Sequence, residues 1–382
     1  MPVYLDHNAT TPLDPRVLEA MLPYLTVHHG NPSSTHRIGR VARAAIDRAR
    51  EQVAALVNAH PSQVVFTSGG TEANNQAIKG IASVSGKGSV AIGATEHPSV
   101  AEPAASLQAA GWQVTVLPVD HDGRLGASAA ESVRSLRPTL VSVMWANNET
   151  GVIQDIAGLG AEARACGALL HTDAVQAAGK IEVDFAASGA HLMTLSAHKI
   201  NGPKGVGALI IDGTVDLKPL LHGGGQEKDK RSGTENVTGI VGFGAAAELA
   251  GARVAEYASR VRELRARLES KLAALGGIEI FGARAERLPN TVCFGTAGVD
   301  GETLLLNLDR HGIAVSSGSA CASQHREPSP VLRAMGIEAD LALSAIRVSL
   351  GHDSAEQDIE TFVAALATQL RQLRRVAGRA VG

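Results

Sequence analysis

Between about residue 62 and residue 212 the chain alternates short β-branched runs with alanine-rich helical runs, and this alternation restricts the fold more than any other feature. Residues 64–66 read as a strand and 71–82 as a helix; 90–92 and 100–110 repeat the pair, and 113–117 adds a strand. The run 140–145 precedes a helical 157–166, the run 168–171 follows, and 193–195 and 206–211 close the series. Strands that read as continuous apolar runs, each separated by a helix, predict a largely parallel sheet with both faces covered. Ligands of such sheets bind at the carboxyl ends of the strands, so chemistry is expected there.

Three longer helices frame this block. Residues 35–58 place Ile38, Val41, Ala45, Ala49, Val53 and Leu56 on one stripe with arginines opposite. Residues 248–275 carry Val254, Ala258, Val261, Leu264, Leu268 and Leu272 and stop at Gly276-Gly277. Ser354-Ala-Glu-Gln357 reads as a capping box opening a last helix through Phe362, Leu366 and Leu370. The greasy stretch 240–252 is short and interrupted by Glu248, so it reads as a buried helix and not a membrane span. The expected organisation is a large domain over 15–250 and a smaller α+β domain made of 1–14 and 251–382.

Composition narrows the function classes. The 382 residues carry 35 Lys+Arg against 38 Asp+Glu, a formal charge of −3, which argues against a polybasic nucleic-acid binder. Residues 1–8 lack the basic-then-apolar pattern of a signal peptide. Three scattered cysteines make no disulfide framework. We therefore expect a cytoplasmic protein with neither nucleic acid nor membrane among its partners.

Three elements carry chemistry. In Phe66-Thr-Ser-Gly-Gly-Thr-Glu-Ala-Asn-Asn75 a strand runs through two glycines into a helix, whose unpaired N–H groups and positive dipole end suit a phosphate. It has neither the Walker spacing nor the GxGxxG pattern, which disfavours nucleoside triphosphates and NAD. Asp173, after the strand 168–171, is placed to hold a protonated ring nitrogen. Lys199, in Ser196-Ala-His198-Lys199, follows about one β-α-β crossover later, and a lysine beside such an acid suits a Schiff base with pyridoxal phosphate. Each alone admits a plainer reading: an ordinary strand–helix turn, a helix-capping aspartate, a surface lysine. Their order at the strand ends of one sheet outweighs those readings.

In these elements and in the stretches around them, the chain resembles the cysteine desulfurases of the nitrogen-fixation and iron–sulfur-assembly kind, in the class V aminotransferase group of fold-type I pyridoxal-phosphate enzymes. The matching stretches are Tyr4-Leu-Asp-His-Asn-Ala-Thr-Thr11, Gly30-Asn-Pro-Ser-Ser34 with His36, 67–75, Glu96-His97, Asn147-Asn-Glu-Thr-Gly151, Asp173-Ala-Val-Gln176, 196–205, Arg231-Ser-Gly-Thr-Glu-Asn236, 316–321 and Arg347-Val-Ser. The resemblance implies an α/β fold with a mostly parallel seven-stranded sheet, a homodimer, and pyridoxal 5'-phosphate. It implies that Gly70, Thr71, Ser196 and His198 hold the phosphate and that Thr234 reaches the phosphate of a neighbouring subunit. Asp173 would pair with the pyridine nitrogen, Gln176 with the ring oxygen, and Asn148 would stand beside ring and substrate. His97 would stack on the ring and shuttle protons, a task that falls to an imidazole in a chain with only 6 Phe, 3 Tyr and 2 Trp. Lys199 would carry the cofactor and move the substrate proton. Position 7 is His where the family more often has Asn.

The cysteines divide by context. Cys166 and Cys293 read as small core residues. Cys321 lies in the polar loop Ser316-Ser-Gly-Ser-Ala-Cys-Ala-Ser-Gln-His-Arg-Glu-Pro328, where an accessible thiol can become a thiolate. It is the expected persulfide carrier, passing sulfur from L-cysteine to an acceptor protein such as an iron–sulfur scaffold. Arg347, within the apolar run 345–350, would bind the substrate carboxylate through its planar fork. No metal is called for. The rival readings are a selenocysteine lyase or class V aminotransferase, and a non-catalytic scaffold that keeps only the fold.

Overall fold

The computed structural model describes residues 2–317 and 327–380, with side chains as far as residue 373. Seven strands form the central sheet in the order Val64–Thr67, Gly207–Ile211, Leu192–Ser196, Leu169–Asp173, Leu140–Ser142, Ser89–Gly93, Gln113–Leu117. Six run in one direction, and Gly207–Ile211 alone runs against both its neighbours. Alternate side chains feed two cores. Phe66, Ala91, Val141, Leu170, Met193 and Ile210 pack on one face, while Val65, Val90, Leu140, Leu192 and Leu209 pack on the other, beneath the helices Gly70–Ser85 and Pro98–Ala109. The strand order is not the chain order, so the strand ends on one edge gather residues distant in sequence.

The first long helix, Arg37–Leu56, buries a different stripe from the one its hydrophobicity predicts. Ala42, Ile46, Ala49 and Val53 are buried, whereas Ile38 and Val41 are 45% and 37% exposed. Close approach decides this. The helix packs against Val237–Ala274, and a Cβ built on Gly244 would stand 2.6 Å from the Ala49 Cα. Small residues at the crossing set the helix's rotation, and two larger apolar ones are left outside.

The helix Val237–Ala274 merges the expected buried segment and the expected long helix into one 38-residue rod. Its apolar half would pass for a membrane span by composition, but Ile240, Phe243, Ala246, Ala247 and Ala250 are spent in the large sheet's core. Beyond residue 250 the same helix gives Tyr257, Val261, Leu264, Leu268 and Leu272 to a separate core with Leu5, Phe294, Leu304 and Phe362. That second core lies on an antiparallel sheet ordered Ser316–Ser317, Ile346–Ser349, Thr291–Gly295, Glu279–Ile280. The last helix starts at Glu356, and its opening differs from the expected capping box. Asp358 Oδ2 accepts the Ala355 N–H at 2.8 Å, while Ser354 Oγ turns back to accept the Gly351 N–H at 2.8 Å. A carboxylate one residue further on does the capping because Ser354 is needed to close the preceding turn.

Between Gly207–Ile211 and the long helix, Glu227, Lys228 and Asp229 are consecutively left-handed, with φ of 46°, 59° and 62°. Such backbone costs about 1–2 kcal/mol per non-glycine residue. A buried ion pair offsets it. Both Glu227 oxygens accept from Arg50 (2.6 and 2.8 Å), and Oε2 also accepts the Phe66 N–H (2.8 Å). Arg50 lies over the Phe66 ring, 4.8 Å from its centre, and donates to the Val64 carbonyl at 2.7 Å. The turn thereby seals a polar edge of the sheet and anchors the loop that carries Arg231 and Thr234. Removing one member of a buried pair strands the other charge, so Glu227→Ala should cost about 3–5 kcal/mol in guanidinium unfolding. Glu162→Ala, which breaks the exposed pair with Arg134, should cost less than about 1 kcal/mol in the same measurement.

Candidate active site

The site's floor is a row of polar side chains under the helix Gly70–Ser85. His171 is fully buried between Ser142 Oγ (2.8 Å from Nδ1) and Thr194 Oγ1 (3.0 Å from Nε2), tying three adjacent strands together. Burial alone pushes its pKa down to about 3, so the ring is neutral. Two residues along the same strand, and therefore on the same face, stands Asp173.

Beside it the backbone comes close enough for a phosphate. A Cβ on Gly207 would fall 2.7–2.8 Å from Gly69 backbone atoms, so only glycine lets this turn lie flat on the neighbouring strand. Gly70 and Thr71 open the helix, and Gly70, Thr71, Ser196, His198 and Lys204 line one open cavity. Ser196 Oγ is buried without a partner among the described residues. An orphaned hydroxyl facing free helix N–H groups fits a tetrahedral anion. His198 Nδ1 meets Thr10 Oγ1 at 3.1 Å, and burial with Lys199 and Lys204 nearby pushes its pKa down to about 4.

Lys199 is seated on the N-terminal segment. Its Nζ donates to the carbonyls of Asn8 (2.5 Å) and Ala9 (2.7 Å). Burial, then the charge of Arg347, pushes its pKa down to about 8, although Asp173 and Asp6 pull the other way. Gln176 Nε2 donates to the same Asn8 carbonyl (2.9 Å), and its Oε1 accepts from the buried Lys180 (2.6 Å). Asp173 Oδ1 accepts the Val175 N–H (3.0 Å) and Oδ2 accepts from Asn74 (2.7 Å). His97 caps the helix Pro98–Ala109 through Nδ1 and leaves part of its ring exposed.

Arg347 approaches from the second sheet. Its Nη2 donates to Asp6 Oδ1 (2.7 Å) and its Nη1 to the Asn148 carbonyl (3.1 Å), while Nε is buried without a partner among the described residues. Next to Asn148, burial pushes the Glu149 carboxyl up to about 7, and Ser329 donates to it at 2.5 Å. Thr234 is exposed. Cys293 is fully buried, with its thiol pushed far up by burial. Cys166 departs from the expected core position: it is only half-buried, because its helix ends there against the rim of the core. Cys321 lies outside the described residues; the strand Ser316–Ser317, which leads toward it, pairs Ser316 with Arg347. Sequence reasoning missed Asn8, Asn74, Ser99, Lys180 and Lys204 as members of the site. Asn8, Asn74 and Lys204 sit inside stretches it had singled out, whereas Ser99 and Lys180 carry no sequence signal.

A lysine amine lowered to about 8 should react as a free amine two pH units below an ordinary lysine. In protein freed of small molecules, trapping of Lys199 by an aldehyde and borohydride should rise with pH around a midpoint near 8. Peptide mass spectrometry across a pH series measures this, and a midpoint above 10 would overturn the account of its surroundings.

Comparison with known proteins agrees with the geometry. The aminotransferase class-V family model matches residues 3–362. A cysteine desulfurase of Rhodobacter capsulatus is 46% identical over 377 residues, covering 98% of either chain. Among solved structures, a NifS-like protein superposes with a TM-score of 0.91 at 37% identity, covering 97% of this chain and all of that one. SspA, solved in complex with cysteine, matches with a TM-score of 0.80 at 32% identity over 91% of this chain and 98% of that one. With its phosphate cradle, acid and lysine on one sheet edge, this chain belongs to the aminotransferase class-V family and is similar over nearly its whole length to the cysteine desulfurases within it.

Proposed function

We propose that the protein is a pyridoxal-phosphate-dependent cysteine desulfurase, converting L-cysteine to L-alanine and carrying the sulfur as a persulfide on Cys321. The observation that carries this reading is an activated amine, Lys199, close to the charge of Asp173, together with a Ser196 hydroxyl that has no partner among the described residues and lines one cavity with Gly70 and Thr71 at a helix N-terminus. When bound, pyridoxal phosphate supplies an electron sink. Gly70, Thr71, Ser196 and His198 would hold its phosphate, Asp173 its ring nitrogen and Gln176 its ring oxygen, with His97 against the ring face.

The chain's own groups do the rest. Arg347 would take the substrate carboxylate at its free Nε edge, with Asn148 alongside. Lys199, unprotonated above about pH 8, would accept the Cα proton and return it to carbon. The Cys321 thiolate would attack the substrate sulfur: an S–S bond forms and the Cβ–S bond breaks. Its electron pair stays on carbon, where a proton completes alanine. A reducing cytoplasmic setting would keep that thiol available, and a protein thiol, such as that of an iron–sulfur scaffold, would take the sulfur. The cysteine complex of the related SspA supports the substrate assignment. A homodimer is favoured by the exposed apolar side chains Leu18, Leu22, Leu25, Ile38 and Val41, and by an exposed Thr234 free to reach a neighbour.

Incubation with L-cysteine should add one sulfur to the Cys321 peptide by mass spectrometry. Cys321→Ser should keep the visible absorbance of the bound cofactor yet lose sulfide release. Sulfide release at the normal rate from that variant would falsify the nucleophile assignment.

A further inference from the structure

Asn74 is buried at 1% exposure and bonded on one side only. Its Nδ2 donates to Asp173 Oδ2 (2.7 Å) and to Ser99 Oγ (2.8 Å), while its Oδ1 has no partner among the described residues. A buried carbonyl left unpaired carries the full penalty of losing its water. Rotating the amide would not relieve it, since Oδ1 would then face the Asp173 carboxylate. The amide's direction is therefore set by Asp173.

What Asn74 does to Ser99 follows from donor counting. Having accepted from Asn74, the Ser99 hydroxyl has its hydrogen left for His97 Nδ1, 2.7 Å away. The Ser99 main-chain N–H reaches the same nitrogen at 3.1 Å, and a main-chain N–H can only donate. Nδ1 must then be the bare nitrogen, and the neutral ring carries its hydrogen on Nε2. The link runs in one sense: Asn74 donates to Asp173 at one end and to Ser99 at the other, and Ser99 donates to His97.

We propose that Asn74 and Ser99 are positioning residues that join His97 to Asp173 and fix the imidazole as its Nε2–H tautomer, leaving it one working edge. Such a ring can donate from Nε2, but taking a proton at Nδ1 would break both the helix cap and the link. Burial and Lys199 oppose that protonation, and Asp173, the other charge facing the ring, favours it. The proposal rests on Asp173 and His97 belonging to the site assigned above, and not on the identity of the substrate.

Nuclear magnetic resonance of the full chain carrying 15N-histidine tests it, with His97 assigned by comparison with His97→Gln. In the unsubstituted protein Nδ1 should read as unprotonated. Ser99→Ala removes a hydrogen bond made to the neutral ring and should raise the His97 titration midpoint by about one pH unit. Asn74→Ala should raise it by less. In the Ser99→Ala background, Asn74→Ala should shift the midpoint by less than it does alone, because its route through Ser99 is gone. A protonated Nδ1, an unmoved midpoint in Asn74→Ala, or shifts that simply add would each overturn the link. Should Asn74→Ala not fold, Asn74→Ser, too short to span both partners, takes its place. Sulfide release is assayed separately: loss of the link with desulfurase activity intact refutes this proposal alone, and the reverse refutes only the activity.

Discussion

Asn8 holds the site together. It is 1% exposed, and every polar group it has is used. Its N–H donates to Ser349 Oγ, and its Nδ2 donates to the Asn148 carbonyl and Thr291 Oγ1. Its Oδ1 accepts from Lys180 and Asn290, and its carbonyl accepts from Gln176 and Lys199. Ser349 and Thr291 belong to the antiparallel sheet, whereas Gln176 and Lys199 follow strands of the large one. Arg347 reaches across the same seam to Asp6 and Asn148. A fully satisfied buried amide is a specific lock, since any slip leaves several groups unpaired at once. The place of Lys199 therefore depends on a residue 191 positions earlier, close to the N-terminus.

Polar burial is concentrated on this seam. Lys180 is 3% exposed with neutral oxygens as its hydrogen-bond partners, and burial together with the charges of Lys199 and Arg347 pushes its pKa far down. Glu96 is held by the Met144 N–H, and burial with Asp173 nearby pushes its pKa far up. Groups of this kind cluster where chemistry needs an amine or carboxyl unlike its solution form. The apolar faces of the sheet, by contrast, hold the ordinary part of the fold, and His171 ties the strands that carry that seam.

Much of this was legible from the residues. Periodicity located the strands and the helices behind them, and the rule of strand ends placed Gly70, Asp173, Ser196 and Lys199 on one edge. Hydrophobicity misjudged the rotation of Arg37–Leu56 because helix contact there is governed by how close two backbones can come, a property of Ala49 and Gly244 together. Lys180 and Ser99 were invisible for a related reason. A buried lysine has no distinguishing neighbours in sequence, and its role is defined by Gln176 and Asn8, which only folding brings to it. The capping of the last helix failed on a competition between two turns for one serine.

The rod Val237–Ala274 has its first half in one core and its second half in the other. A continuous helix without proline curves only gently over this length. Two lobes skewered on one such axle lack a swivel between them. Relative motion of the two lobes is thereby restrained, and they are expected to melt as a single cooperative body.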